Sequence, residues 1–443
     1  MKTFFKGFLF LAVAAFIGEC LEFVINLVLA RQLGEHGLGI YMTILPSLFL
    51  VVIIASLELP ISISKFIAEK EERFHRSLMK HATNLAVKFM FVFMGVVLII
   101  LPHVSFFDNY HPLVKWLFVI IIPIISISSL ARGYFMGKQD MSKIAISNFL
   151  RKVVQLILLV FLYQLFSFDF DTSILIALCT LIGSELIVFV YLIHAFFIKW
   201  QTIKQEKYTV MTKKEARGNL LAVSIPTTGM RIFHSVTHAI QPFLIKAALL
   251  KAGLSEGVAT EQFGLMAGVA MSIGFFPAFI AHSLLIALIP AVSEAYEHKD
   301  SSKLQRLLQQ VMLITCAYGI PAVILFYFFA EPLTHIFFES SSATLYLKLL
   351  WPYFLLHFFV IPLQAYLIGL GLVKDALYHA MWATMLSFVA MYILGSMPHL
   401  QMQGVIVGMN FGAVLMTLLH YLTICKKIGL SIHLQFPVDK KVI

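Results

Sequence analysis

Runs of about twenty consecutive apolar residues recur along this chain, and they constrain it more than any other feature. A helix needs about 20 mostly apolar residues to cross the hydrocarbon core of a bilayer. Twelve such runs can be read: 4–30, 38–57, 84–101, 114–129, 146–165, 174–197, 220–250, 263–289, 307–329, 344–370, 376–397 and 405–425. The fourth is short and is expected to continue to Tyr134. No segment alternates apolar and polar residues over ~10 positions, as a membrane barrel would. Of 443 residues, 60% are hydrophobic and only 13% are charged, against about 25% charged in ordinary soluble domains. A chain of this length has no interior large enough to hide so much apolar surface from water. The expected fold class is an all-α polytopic membrane protein with about twelve transmembrane helices. Lys2 and Lys6 precede the first run as in a signal peptide, but the run continues past Glu19 to Leu29, so a retained first span is expected.

The basic residues orient the bundle. Of the 33 Lys and Arg, 26 fall in the tails and the even-to-odd loops, five on the opposite side (Arg31, Lys115, Lys246, Lys251, Lys348), and two within spans (Lys88, Arg231). By the positive-inside rule both termini are expected in the cytoplasm of a multi-pass cell-membrane protein. Because the net charge of +10 is spread over seven segments, it forms no single basic patch, and nucleic acid is not an expected partner. Cys20, Cys179, Cys316 and Cys425 lie in or at the ends of apolar runs without metal-ligand spacing and read as buried thiols.

The longest polar stretch, Lys199–Arg217, is only a linker in length. The expected division is therefore an N-terminal six-helix lobe over 1–198, a cytoplasmic linker over 199–218, and a C-terminal six-helix lobe with a short tail over 219–443. Equivalent positions of the halves carry matching residues: Gln32 and Gln262, Gly34 and Gly264, Pro60 and Pro290, Arg76 and Arg306, Leu78 and Leu308, then Tyr134 and Tyr366, Gly137 and Gly369. Six is an even number of spans, so both halves insert the same way up. Such parallel repeats build transporters with a midplane site, and a pseudo-symmetric pair of lobes around a central cleft is expected. Lys65–His81 and Glu294–Gln310 mix charges with helically spaced apolar residues and read as short amphipathic surface helices. Pro46, Pro226, Pro277, Pro290 and Pro362 mark expected kinks.

Ionisable residues inside a membrane usually face protein or water. In the first run Glu19, Glu22 and Asn26 share one helix face. In the seventh, Thr227, Arg231, His234, His238 and Gln241 recur at steps of four and three, a polar stripe on an apolar helix. Arg231, His234, His238, Gln241 and Asn26 are the candidate substrate-binding residues, with Glu19, Glu22 and Glu185 as candidates for coupling or gating. The planar fork of Arg231 suits phosphate and pyrophosphate, though a purely structural pairing with Glu185, Glu19 or Glu22 is the competing reading. His234 and His238 have the spacing of a zinc pair without the Glu of H-E-x-x-H; cavity polarity is expected rather than a metal. No catalytic set and no cofactor are expected: there is no HExxH, no GxSxG and no acid pair with a base.

The run Ala30-Arg31-Gln32-Leu33-Gly34-Glu35-His36-Gly37-Leu38-Gly39-Ile40-Tyr41 resembles the first-loop signature of polysaccharide flippases of the multidrug/oligosaccharidyl-lipid/polysaccharide (MOP) superfamily. Three further segments are similar to its stage V sporulation protein B branch: residues 59–69 (LPISISKFIAE), 131–139 (ARGYFMGKQ) and 289–296 (IPAVSEAY). The resemblance implies two six-helix lobes around a central cleft. It also implies movement of an undecaprenyl-pyrophosphate-linked saccharide between leaflets in spore cortex or envelope assembly. The implied partners are that lipid-linked saccharide, membrane lipids and a coupling ion, proton or sodium. Two other readings compete: a cation-coupled drug antiporter of the same superfamily, which Glu19 and Glu22 fit and Arg231 fits poorly, and a non-transporting scaffold for envelope assembly.

The orientation is directly checkable. A reporter that works only in the cytoplasm should be active when fused after Ile443 and inactive when placed in the loop around Glu256. The reverse pattern would overturn the orientation.

Overall fold

The structure, a computed structural model, describes residues 2–69, 71–104, 107, 110–205, 209, 213–338 and 342–429. At some helical positions, Thr227 and Pro226 among them, only the backbone is described; the stripe's first member, most of the linker's side chains and the tail after 429 lie outside the described side chains. The described residues are almost wholly helical. In order they form α1 (Lys2–Ser56), α2 (Leu59–Glu69), α3 (Glu72–Ile100), α4 (Val114–Gly137), α5 (Met141–Leu165), α6 (Phe170–Gln205) and α7 (Lys213–Lys251). There follow α8 (Glu256–Gly264), a π-turn (Leu265–Ala270), α9 (Met271–Gly274), α10 (Ala278–Glu297) and α11 (Ser301–Phe328). The chain ends in α12 (Ala330–His335), α13 (Ala343–Leu349), α14 (Trp351–Gly369), α15 (Val373–Gly395) and α16 (Met402–Ile428).

Ten stretches of the described residues are long and apolar enough to cross a membrane. Twelve runs were expected, and the difference has physical causes. The first two runs join into one stretch, turned at Gly34, whose φ of 69° and ψ of 177° suit a residue without Cβ. The seventh run lies within α7, which is not among the ten stretches found in the described residues. The eighth, expected over 263–289, is not one helix: the π-turn interrupts it at 265–270, and the chain turns at Phe275–Pro277 before α10. Pro277 thus stands at a true break, whereas Pro46, Pro290 and Pro362 lie inside continuous helices.

The expected amphipathic surface helices are corrected as well. Residues 65–81 belong to the end of α2 and the start of α3, parted around Glu71. Residues 294–310 belong to α10 and α11, parted at Asp300, whose carboxylate accepts the Lys303 N–H at 2.9 Å and caps α11. Their apolar residues point into the bundle because they are the ends of long helices. Of the four thiols only Cys425 is fully buried; the other three are half-buried.

The chain forms two compact units, Ile40–Ile240 and Met1–Gly39 with Gln241–Ile443. The core of the first joins Leu59, Ile63 and Ile67 of α2 to Leu78 and Ala82 of α3, Tyr134 of α4 and Leu192 of α6. The core of the second joins Leu288 and Val292 of α10 to Leu304 and Leu308 of α11, Tyr366 of α14 and Ile424 of α16. Each core therefore holds one member of the matched pairs Leu78–Leu308 and Tyr134–Tyr366, and the internal repeat is a repeat of packing. Tyr366 Oη donates to the Leu304 carbonyl at 2.8 Å, which satisfies a buried phenol.

The matched glycines have the same task in each unit. A Cβ on Gly137 would lie 2.5 Å from Ile67 Cβ, and one on Gly369 would lie 2.7 Å from Val292 Cβ. Both let a helix end close against its neighbour, as small residues do between membrane helices. Gly137→Ala and Gly369→Ala should each destabilise the purified protein by about 1–3 kcal/mol through overpacking. Gly95→Ala, with nothing within 4 Å of the added atom, should be neutral or stabilising by about 0.5–1 kcal/mol. Thermal unfolding that ranks the three alike would contradict the close-approach account.

Candidate functional site

The break between α1 and α2 falls at Leu57 and Glu58, both with φ of 46°. Left-handed backbone costs an L-residue roughly 1–2 kcal/mol and persists only where surrounding contacts over-determine it. Here they do. Ser56 Oγ donates to the Ile53 carbonyl at 2.8 Å and accepts the Glu58 N–H at 3.3 Å. Ser126 Oγ, from α4, donates to the Ala55 carbonyl at 2.9 Å. Ser224 Oγ, from α7, donates to the Leu57 carbonyl, and Ser62 Oγ donates to the Glu58 carbonyl at 3.3 Å. Side-chain hydroxyls thus take up carbonyls at the break, the condition for a broken helix inside a membrane.

The Glu58 side chain is only 3% exposed, and its Oε1 lies 2.8 Å from Arg231 Nη1. Arg231 follows Ser224 by seven residues, two turns of α7, so one helix face grips the break at both points. Arg231 itself is 56% exposed: the pair buries its acid and leaves most of its guanidinium open. His238, seven residues further on, is also exposed, while His234 and Gln241 are half-buried. The stripe read from the sequence therefore exists as a face of α7. The partner of Arg231 is Glu58, and Glu185 instead pairs with Arg151 at 3.3 Å. Arg151, counted from the sequence with the cytoplasmic loop before the fifth run, lies ten residues inside α5, which starts at Met141.

Asn26 serves the other compact unit. Its Nδ2 donates to Ser272 Oγ at 3.2 Å, and Ser272 Oγ donates to the Gly268 carbonyl at 2.7 Å. Gly268 lies in the π-turn Leu265–Ala270, and such turns are frequent at functional sites. Phe16 packs edge-on against Phe276 and Phe279, and Phe23 against Phe337. Arg31 donates through Nε and Nη2 to the Ile336 carbonyl at the end of α12. Glu19 and Glu22 are half-buried on the same helix. Beyond Gly34, Glu35 lies beside Glu261.

Glu58, Glu35 and Glu261 were not among the candidates from sequence. Glu58 immediately follows an apolar run and reads as a loop residue. Its signal is Ser56-Leu57-Glu58-Leu59-Pro60, a hydroxyl, an acid and a proline within five residues of apolar sequence. The Glu35–Glu261 contact joins residues more than two hundred positions apart, which no spacing reveals.

Broken spans with charged groups at the breaks are the build of a secondary membrane transporter. The family described as polysaccharide biosynthesis protein matches residues 4–253, and the one described as MatE matches residues 266–393. The chain is 51% identical to the sporulation protein YkvU of Bacillus subtilis (strain 168), over 98% of each chain. It is 32% identical to stage V sporulation protein B of the same organism, over 98% of this chain and 86% of that one. Among solved structures, the inward-facing conformation of a multidrug resistance MATE family transporter of the MOP superfamily superposes with a TM-score of 0.72 at 16% identity, covering 94% of this chain and 98% of that one. A MOP superfamily transporter from Pyrococcus furiosus superposes with a TM-score of 0.66 at 17% identity, covering 96% and 95%. This chain belongs to the polysaccharide biosynthesis protein family and is a multi-pass membrane protein.

The unequal exposure of the Glu58–Arg231 pair sets an asymmetric expectation. Arg231→Ala leaves a buried carboxylate without its cation and should cost about 1–3 kcal/mol, below the range for fully buried pairs because solvent reaches the arginine. Glu58→Gln leaves an arginine that solvent already reaches and should cost less. The double variant should recover most of the Arg231→Ala loss. Melting temperatures of the four proteins check this; a double variant no more stable than Arg231→Ala would mean that Glu58 is not the group that Arg231 compensates.

Proposed function

We propose that the protein moves a lipid-linked saccharide of the undecaprenyl-pyrophosphate type across the cytoplasmic membrane by alternating access, with both termini in the cytoplasm. The setting we propose is spore envelope, cortex or wall polysaccharide assembly, as the names of the sporulation relatives suggest. The observation that carries the substrate reading is Arg231. Its guanidinium is anchored at Nη1 by a buried acid and is otherwise more than half exposed, far inside a helix expected to span the membrane. An exposed arginine in a span faces water or a polar ligand rather than lipid tails. Its remaining donors match a pyrophosphate as a planar fork. His234, His238 and Gln241 continue that face as polar groups for the head group or sugar, and Asn26 is a further candidate contact. Glu19 and Glu22, one turn apart, remain the proposed coupling residues for a proton or sodium ion, with Glu185 a candidate for gating.

A second reading, cation-coupled drug antiport, rests on Glu19 and Glu22, which are half-buried one turn apart on α1.

Binding to purified protein in nanodiscs separates the two. The flippase reading expects an undecaprenyl-pyrophosphate-linked saccharide to bind, with Arg231→Lys weakening it about tenfold, equivalent to 1.4 kcal/mol, since Lys keeps the charge and loses the fork. The antiport reading expects a lipophilic drug cation to bind and Glu19→Gln with Glu22→Gln to abolish it. Saturable cation binding without saccharide-lipid binding would overturn the first reading.

A further inference from the structure

We propose that Arg132 and Arg151 form a binding site for the phosphate of an anionic phospholipid on the unit Ile40–Ile240, separate from Arg231. The starting point is the motif over residues 131–139, in which packing explains Ala131, Gly133, Tyr134, Phe135 and Gly137 and an ion pair with Glu72 engages Lys138. A Cβ on Gly133 would meet Ile63 Cβ at 2.9 Å, and one on Gly137 would meet Ile67 Cβ at 2.5 Å. Tyr134 and Phe135 are core residues. Arg132 contributes to no core and caps no helix. Among the described residues its hydrogen bond is from Nη1 to Asn148 Oδ1, at 3.2 Å.

One turn beyond Asn148 on α5 stands Arg151, whose Nη1 lies 3.3 Å from Glu185 Oε1 of α6; the Arg151 side chain is 33% exposed and that of Glu185 13%. Arg132, Arg151 and Glu185 act on one another electrostatically. Three adjacent helices thus bring two guanidinium groups and one carboxylate together, so that among these described groups positive charge exceeds negative by one. Each arginine has committed a single nitrogen to the contacts above and keeps further N–H donors, the arrangement that receives phosphate oxygens in pairs.

The surroundings favour a lipid as the source of that phosphate. Arg132 lies five residues before the end of α4 and Arg151 ten residues into α5, about 7.5 and 15 Å along their helices at 1.5 Å per residue. Both distances run from the ends expected to face the cytoplasm. The sequence neighbours Ile146 and Phe149 on α5 and Leu186 and Ile187 on α6 are exposed, at 47%, 52%, 44% and 42%. Large apolar side chains around a cationic cluster offer acyl chains a surface and the head group a partner, as basic pockets between membrane helices do. Free phosphate would gain nothing from the apolar rim.

The test uses the full-length protein in detergent, titrated with phosphatidylglycerol, with phosphatidylcholine and with inorganic phosphate, and read by thermal shift and by lipid retention in native mass spectrometry. Phosphatidylglycerol should raise the melting temperature and be retained; the other two should do neither. Arg132→Gln with Arg151→Gln should weaken phosphatidylglycerol binding at least tenfold. Glu185→Gln removes the competing acid and should strengthen it several-fold, a gain that a purely structural network does not predict and that can be read even if the double variant folds poorly. Unchanged phosphatidylglycerol binding in a folded double variant, weaker binding in Glu185→Gln, or equal binding of phosphatidylcholine would overturn the proposal. Inorganic phosphate binding as well as the lipid would overturn the lipid as its source.

Discussion

Inside a bilayer no water is available to a backbone carbonyl or N–H, and every feature of this protein answers to that constraint. Continuous helices satisfy it internally. Wherever a helix stops within an apolar stretch, side chains must take over, and the residues that do so gather where they are needed. At Leu57–Glu58 four serines, from α1, α2, α4 and α7, bond the strand of backbone that the break frees. At the π-turn Ser272 returns to the Gly268 carbonyl while receiving Asn26. Polarity in the spans thus serves backbone repair and ion pairing, and the two meet at Glu58, whose carbonyl accepts from Ser62 while its carboxylate pairs with Arg231.

The same constraint explains why matched glycines and tyrosines stand in the core of each compact unit while few other residues match between them. Without a hydrophobic drive between membrane helices, close contact depends on small residues and shape. Only the residues at the tightest crossings are then held to one type: a glycine where a helix end meets its neighbour, and a tyrosine in the adjoining core. Gly137 with Tyr134 and Gly369 with Tyr366 are those residues. Around them any apolar side chain of suitable size serves.

Much of this was legible in the sequence. Hydropathy finds most of the spans because burial in lipid demands long apolar runs, and the glycine and tyrosine pairs stand at close-packed positions in each unit. The polar face of α7 was legible because helical spacing is strict. What hydropathy averages over was not. The break at Leu57–Glu58 and the π-turn lie inside apolar stretches, so the window that finds the spans also hides their interruptions. Arg151 looked like a loop residue because the first turn of α5, Met141 to Ala145, includes polar residues that lower its hydropathy. Partners on distant segments, Glu58 for Arg231 and Glu261 for Glu35, need the fold before they can be seen.

The unequal burial of Glu58 and Arg231 carries a consequence for coupling. An anion that drew the exposed guanidinium away would strand a carboxylate that is 3% exposed, and an unpaired charge there is strongly unfavourable. The exchange becomes favourable only if another positive charge reaches Glu58 as Arg231 leaves, and a proton or a sodium ion is small enough to do so. Any such exchange would also act on the backbone pair Leu57 and Glu58, which the α7 contacts of Ser224 and Arg231 hold.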